Sequence, residues 1–269
     1  SFGPRSCKSK YSGRKSGEIY LKYLVIVLMC LRCVDIGWAN ERRVGKIPYS
    51  FQLKELPRHL GRGVKESFWG IQGLAFLGAA GTTFAFRPVD DSIANYFKHE
   101  PALGRRFNDI FDHVSSPITV GGGLFLVWAG SYWTQNDQLA LSMESALEAW
   151  ILVVPLVVGT KYVANRDRPD GSSFSFPSAH TAAAFSTATV LAHSYGYAVG
   201  VPAFLTSAFI GFMRIDSSKH YLTDVLFGAV LGTSIGLGVS RFHQPLGPNV
   251  SVTPYVTSRG SGLVYRQVF

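Results

Sequence analysis

Three short polar clusters between residues 161 and 224 carry residue types that can do chemistry. They are Lys161-Tyr-Val-Ala-Asn-Arg-Asp-Arg168-Pro169, Pro177-Ser178-Ala179-His180 and Arg214-Ile-Asp-Ser-Ser-Lys-His220-Tyr-Leu-Thr-Asp224. Lys161, Arg168 and Arg214 are cations, His180 and His220 can exchange protons, and Asp224 is a carboxylate four residues beyond His220. Such a set suits a phosphate-like oxyanion flanked by a nucleophile and a proton donor.

Each cluster has its own logic. Pro169 disfavours helical geometry at Arg168, so Lys161 can end a helix while Arg168 reaches back from a loop to the same anion. Residues 177–180 precede a helix-like run, and the unpaired first-turn amides of a helix attract anions. Ser178 and the Ala179 N–H can then contact phosphate oxygens, with His180 at the helix mouth. His220 and Asp224 at i,i+4 would share one helical face, where the carboxylate fixes the imidazole tautomer. Taken singly, each cluster also fits solvated loop cations, a surface histidine or an ordinary helix ion pair.

The rest of the chain must bring the clusters together. Six apolar stretches, 67–86, 114–136, 139–160, 181–196, 199–213 and 225–240, have helical rather than strand lengths. The clusters follow the third stretch, open the fourth and join the fifth to the sixth. In an up-and-down bundle those helix ends share one face. Residues 87–113, charged and mixed, read as a loop with an amphipathic helix.

At this point the motifs resemble those of the type 2 phosphatidic acid phosphatase and vanadium haloperoxidase superfamily. That signature runs Lys-x6-Arg-Pro, Pro-Ser-Gly-His and Ser-Arg-x5-His-x3-Asp, and the likeness covers roughly 139–240 with all internal spacings intact. Ala179 stands where the family has Gly, and Met213 where it has Ser before the arginine. The resemblance implies an all-α, six-helix bundle, membrane-embedded or membrane-associated. It implies a phosphatase acting on a lipid phosphate monoester or pyrophosphate at a membrane surface, with no cofactor and no metal. His220 would attack phosphorus, Asp224 orient it and His180 protonate the leaving group. Lys161, Arg168, Ser178, Ala179 and Arg214 would hold the phosphate oxygens. An exported acid phosphatase for small phosphomonoesters is the alternative, and a vanadate-dependent haloperoxidase a more distant one.

Composition bounds these readings. Of 269 residues, 47% are apolar and 16% charged, below the roughly 25% charge of an average soluble domain. Mean hydropathy is +0.16, and 28 glycines point to closely packed helices. The net charge of +9 is concentrated at one end: seven of 26 basic residues lie before Asn40, and the remainder carries 19 basic against 15 acidic residues. Nucleic-acid binding is therefore not expected.

Residues 1–39 have the cationic stretch, apolar core and small residues of a secretory signal. All three cysteines, Cys7, Cys30 and Cys33, fall inside it. Residues 40–66 read as a basic, irregular or amphipathic lead-in, 67–240 as the helical domain, and 241–269 as a disordered or packed tail. Basic residues in 40–66 and after Ser240 place those ends in the cytoplasm and the motif face at the periplasmic or outer side of an envelope membrane. A cleaved signal followed by six spans would reverse that orientation, and an exported, merely membrane-associated bundle is the remaining option.

Overall fold

The computed structural model describes residues 42–44, 47–49, 56–243, 250–257 and 260–267. The signal-like segment 1–39 lies outside the described residues. All six apolar stretches fold as helices near their expected limits. Nine helices are described: α1 (Leu56–Phe68), α2 (Gly70–Phe84), α3 (Arg87–His99), α4 (Arg105–Val114), α5 (Pro117–Trp133), α6 (Asp137–Ala164), α7 (Ala179–Tyr195), α8 (Tyr197–Asp216) and α9 (Leu222–His243).

Local chemistry sets many of these limits. Ser116, Asn136 and Ser178 cap α5, α6 and α7 by accepting from the backbone N–H three residues on. Asn165 ends α6 in the left-handed conformation, its N–H donating to the Lys161 carbonyl. Gly196, with φ +72°, forms the joint between α7 and α8.

Helix α7 runs through the middle, packed on α6, α8 and α9, and α9 also packs on α1. Small residues make this approach possible. Cβ atoms at Gly228, Gly232 and Gly236 of α9 would stand 2.7, 2.2 and 2.6 Å from the carbonyl oxygens of Ser178, Ala182 and Ser186 on α7. Backbones in such contact gain dispersion along their whole length. Together α7 and α9 set the depth of the site.

Among the described residues, three helices are long and apolar enough to cross a membrane: α6, α8 and α9. A fourth candidate is the pair 106–114 and Pro117–Trp133, bent by 47°. Among the described residues, fewer helices therefore meet the length of a span than there are apolar stretches. The reason is local: α2, α5 and α7 have 15, 17 and 17 residues, against about 20 for a straight span. Exposed aromatic residues gather where α2 and α8 begin and α5 ends, with Trp69, Tyr197 and Trp133 75%, 90% and 92% exposed.

Outside the expected six, 87–113 holds two helices, α3 and α4, instead of one. The basic lead-in contains the short hairpin β1 (Arg42–Val44) with β2 (Ile47–Tyr49), then α1. The tail also differs from the expected form. Strands β3 (Val250–Thr257) and β4 (Gly260–Gln267) pair antiparallel from Val250 opposite Gln267 to Thr257 opposite Gly260. Its Val-, Tyr- and Thr-rich composition favours a pleated ladder.

Candidate active site

The structure brings all eight sequence-selected residues to one end of the bundle. Lys161 lies in the last turn of α6, Ala179 and His180 open α7 behind the Ser178 cap, and Arg214 closes α8. Asp224 lies in the first turn of α9, and the Ser178 N–H donates to its carbonyl at 3.0 Å. This bond fixes the α7 start against the α9 start.

Loop 165–178 folds under the cations. Lys161 is 3% exposed and donates through Nζ to the carbonyls of Phe174 and Ser175 at 2.6 and 3.2 Å. The Arg168 N–H donates to the Ser172 carbonyl, and Gly171 (φ +84°) returns an N–H to the Arg168 carbonyl. Burial works to raise the Asp170 carboxyl, but bonds from Ser172 and the Lys219 ion pair hold it down at about 2.

Two donors at this end have no acceptor: Nε of Arg168 and Nε of Arg214 are buried and unpaired. Unpaired buried donors are costly. An oxyanion seated between the two guanidinium groups would satisfy both. Ala179 is the first residue of α7, so its N–H has no intrahelical acceptor. Alanine fits there because helical geometry needs no glycine.

His220 departs from the expected helical pairing. It precedes α9, held by its N–H donating to the Arg214 carbonyl at 3.0 Å. Its Nδ1 lies 3.6 Å from Asp224 Oδ2, beyond hydrogen-bonding distance, and has no other partner. The physical reason is that Asp224 is already engaged. One oxygen accepts from Arg166 Nη1 at 2.8 Å, and the other from the Tyr221 N–H at 2.8 Å and the Ser175 hydroxyl. Complete burial, then the cations Lys161, Arg214 and Arg168, push the His220 imidazole well below its usual range. It is neutral near pH 7.

Several residues were not singled out in the sequence. Asp112 of α4 binds Arg214 Nη1 and lies 3.2 Å from His180 Nε2. Arg166 bridges Asp224 and Asp90 of α3 and lies 3.9 Å over the Tyr221 ring. Burial opposes its charge, but the Asp90 and Asp224 carboxylates raise its pKa. Asp90 also accepts from the Thr223 N–H at 3.0 Å. Arg166 was visible as an extra cation inside the first cluster. Asp90 and Asp112 gave no signal, since each sits in a charged stretch over 100 residues from its partner in the third cluster. A cavity of ≈ 350 Å³ opens beside Arg214 and Asp112, lined also by Lys98, Asp109, Ser218 and Lys219.

Caged cations, a buried imidazole and a second histidine at a helix mouth form a cluster whose chemistry suits an oxyanion. Residues 143–248 match the sequence model of the PAP2 superfamily. A lipid A 1-phosphatase of Porphyromonas gingivalis is 36% identical over 156 residues, 55% of this chain and 35% of the relative. The chain thus spans about a third of the length of that curated relative. Among solved structures, Aquifex aeolicus LpxE is 26% identical, covering 53% of this chain and 91% of its own, with a TM-score of 0.42. A transmembrane PAP2-type phosphatidylglycerolphosphate phosphatase from Bacillus subtilis is 20% identical, covering 69% and 98%, with a TM-score of 0.47.

Proposed function

We propose that this chain is a membrane-bound phosphatase that removes phosphate from a lipid through a phosphohistidine, without a catalytic metal. The observation that carries this reading is the pair of unpaired guanidinium Nε atoms, on Arg168 and Arg214, beside a neutral His220. The cations hold the non-bridging phosphate oxygens together with Lys161, Ser178 and the Ala179 N–H.

With Nδ1 turned towards Asp224, His220 Nε2 is the nitrogen that attacks phosphorus. The new P–N bond forms as the ester P–O bond breaks, and the leaving oxygen takes a proton from His180. Water then attacks the phosphohistidine, giving its proton to His180 and releasing phosphate and free His220. Asp224 draws closer to Nδ1 as positive charge grows on the ring.

Support for the substrate class comes from exposed apolar side chains on the helices, among them Leu74, Leu126 and Leu205, and from the P. gingivalis relative, a lipid A 1-phosphatase. A phosphorylated glycolipid is therefore the first choice. The active face is assigned to the periplasmic or outer side, because Arg62, Lys65 and Arg241 belong to the opposite end.

Phosphate release from a panel of lipid and soluble phosphomonoesters and pyrophosphates, with EDTA throughout, tests the reading. Turnover of lipid substrates that survives EDTA and vanishes in His220→Ala is expected. Turnover unchanged in His220→Ala overturns the mechanism, and preference for small soluble esters favours an acid phosphatase.

A further inference from the structure

A second polar cluster lies at the opposite end of the bundle. Glu148 of α6, 2% exposed, splits its carboxylate between two histidines on other helices. Oε1 is 3.0 Å from His59 Nδ1 on α1, and Oε2 is 2.6 Å from His243 Nε2 at the end of α9. Glu144, four residues earlier on α6, is on the same face and 3% exposed. One ligand atom each from His59, Glu144 and His243 lie within 4.8 Å of one another. Along α6, Glu148 is thirteen residues from Lys161, or about 20 Å.

The cluster is not complete as a hydrogen-bond network. Glu144 Oε2 is buried with no hydrogen-bond partner, and two carboxylates a helical turn apart repel when both are charged. A divalent cation removes both difficulties, since two carboxylates and two neutral imidazoles around it are neutral in sum. Two nitrogen and two oxygen donors in a compact, mostly buried set match the tetrahedral preference of zinc, and magnesium prefers six oxygens.

We propose that His59, Glu144, Glu148 and His243 bind a structural zinc-class divalent ion that ties α1, α6 and α9 together. Binding displaces any protons shared between Glu148 and the histidines, and draws the donors inward. Distance from His220 leaves phosphoryl transfer independent of this ion.

The test uses the full chain in detergent, stripped with EDTA and titrated with zinc or magnesium chloride, reading bound metal and thermal midpoint. The result expected is about one zinc retained per chain and a midpoint raised by zinc but not magnesium. Loss of an outer-shell partner typically costs 10–100-fold in metal affinity, so Glu144→Gln, which loses a ligand, should weaken zinc at least tenfold. His59→Gln, at the half-exposed rim, gives the same readout should the buried variant fail to fold. A His220→Asn protein should bind zinc like the unaltered chain, which keeps this result separate from the phosphatase reading. Absence of retained zinc, or zinc affinity in both cluster variants equal to that of the unaltered chain, overturns the proposal and leaves a hydrogen-bonded cluster.

Discussion

Asp112 Oδ1 lies 3.2 Å from His180 Nε2 while the same oxygen grips Arg214. One carboxylate from α4 thereby links the proposed acid to one of the proposed phosphate-binding cations. Burial and the Arg214 charge push the His180 imidazole below its usual range, and the Asp112 carboxylate beside Nε2 opposes that shift.

The first prediction concerns that link. Asp112→Asn should lower kcat for alkyl phosphate esters by roughly 10–100-fold, a part of the roughly 10²–10⁴-fold that a general acid supplies. p-Nitrophenyl phosphate, whose leaving group needs no proton, should lose far less. Equal losses on both substrates would make Asp112 a merely structural residue.

The second concerns Arg166, which joins the buried Asp90 and Asp224. Arg166→Met leaves two carboxylates facing each other without a cation, a change that costs about 3–5 kcal/mol for a buried pair. A matching fall in thermal midpoint is expected, partly recovered by adding Asp90→Asn. No recovery in the double variant would show that the two side chains act independently.

The third prediction is a pH dependence of stability. The His220 pKa lies well below the ordinary 6.5, so between the two values the unfolded chain binds a proton that the native protein refuses. Stability therefore falls as pH drops below about 6.5, until the native imidazole itself protonates. Thermal midpoints in detergent from pH 7.5 to 5 should show this slope, and His220→Asn should flatten it. An unchanged slope in that variant would assign the decline to other groups.

The fourth tests the packing of α9 on α7. A Cβ at Gly232 would stand 2.2 Å from the Ala182 carbonyl oxygen. Gly232→Ala must push the helices apart, at a cost of about 1–3 kcal/mol. Activity should fall with the midpoint, because the same contact sets Asp224 against Ser178. Gly122→Ala, where a Cβ meets nothing within 4 Å, should leave both near their original values.

Much of this protein was legible along the chain. Apolar runs of helical length gave the helices from α5 to α9 to within a few residues, because burial of a helix leaves a continuous apolar signature. The three clusters gave all eight residues gathered at the site, because spacing within a cluster is local. Residues 87–113 were harder to read: the bend before Pro117 and the reach of Asp112 depend on partners far along the chain. The β3–β4 pairing was missed because weak alternation in a single strand does not disclose its partner.

By itself the sequence determined which groups are suited to an oxyanion, since lysine, arginine and histidine carry that chemistry wherever they stand. Only the tertiary structure decided the state of those groups. It placed His220 before α9 and not on it, gave Asp224 to Arg166, and set Asp112 beside His180. Burial, competing hydrogen bonds and facing charges are properties of packing, and they decide which histidine is neutral and which is held near a carboxylate.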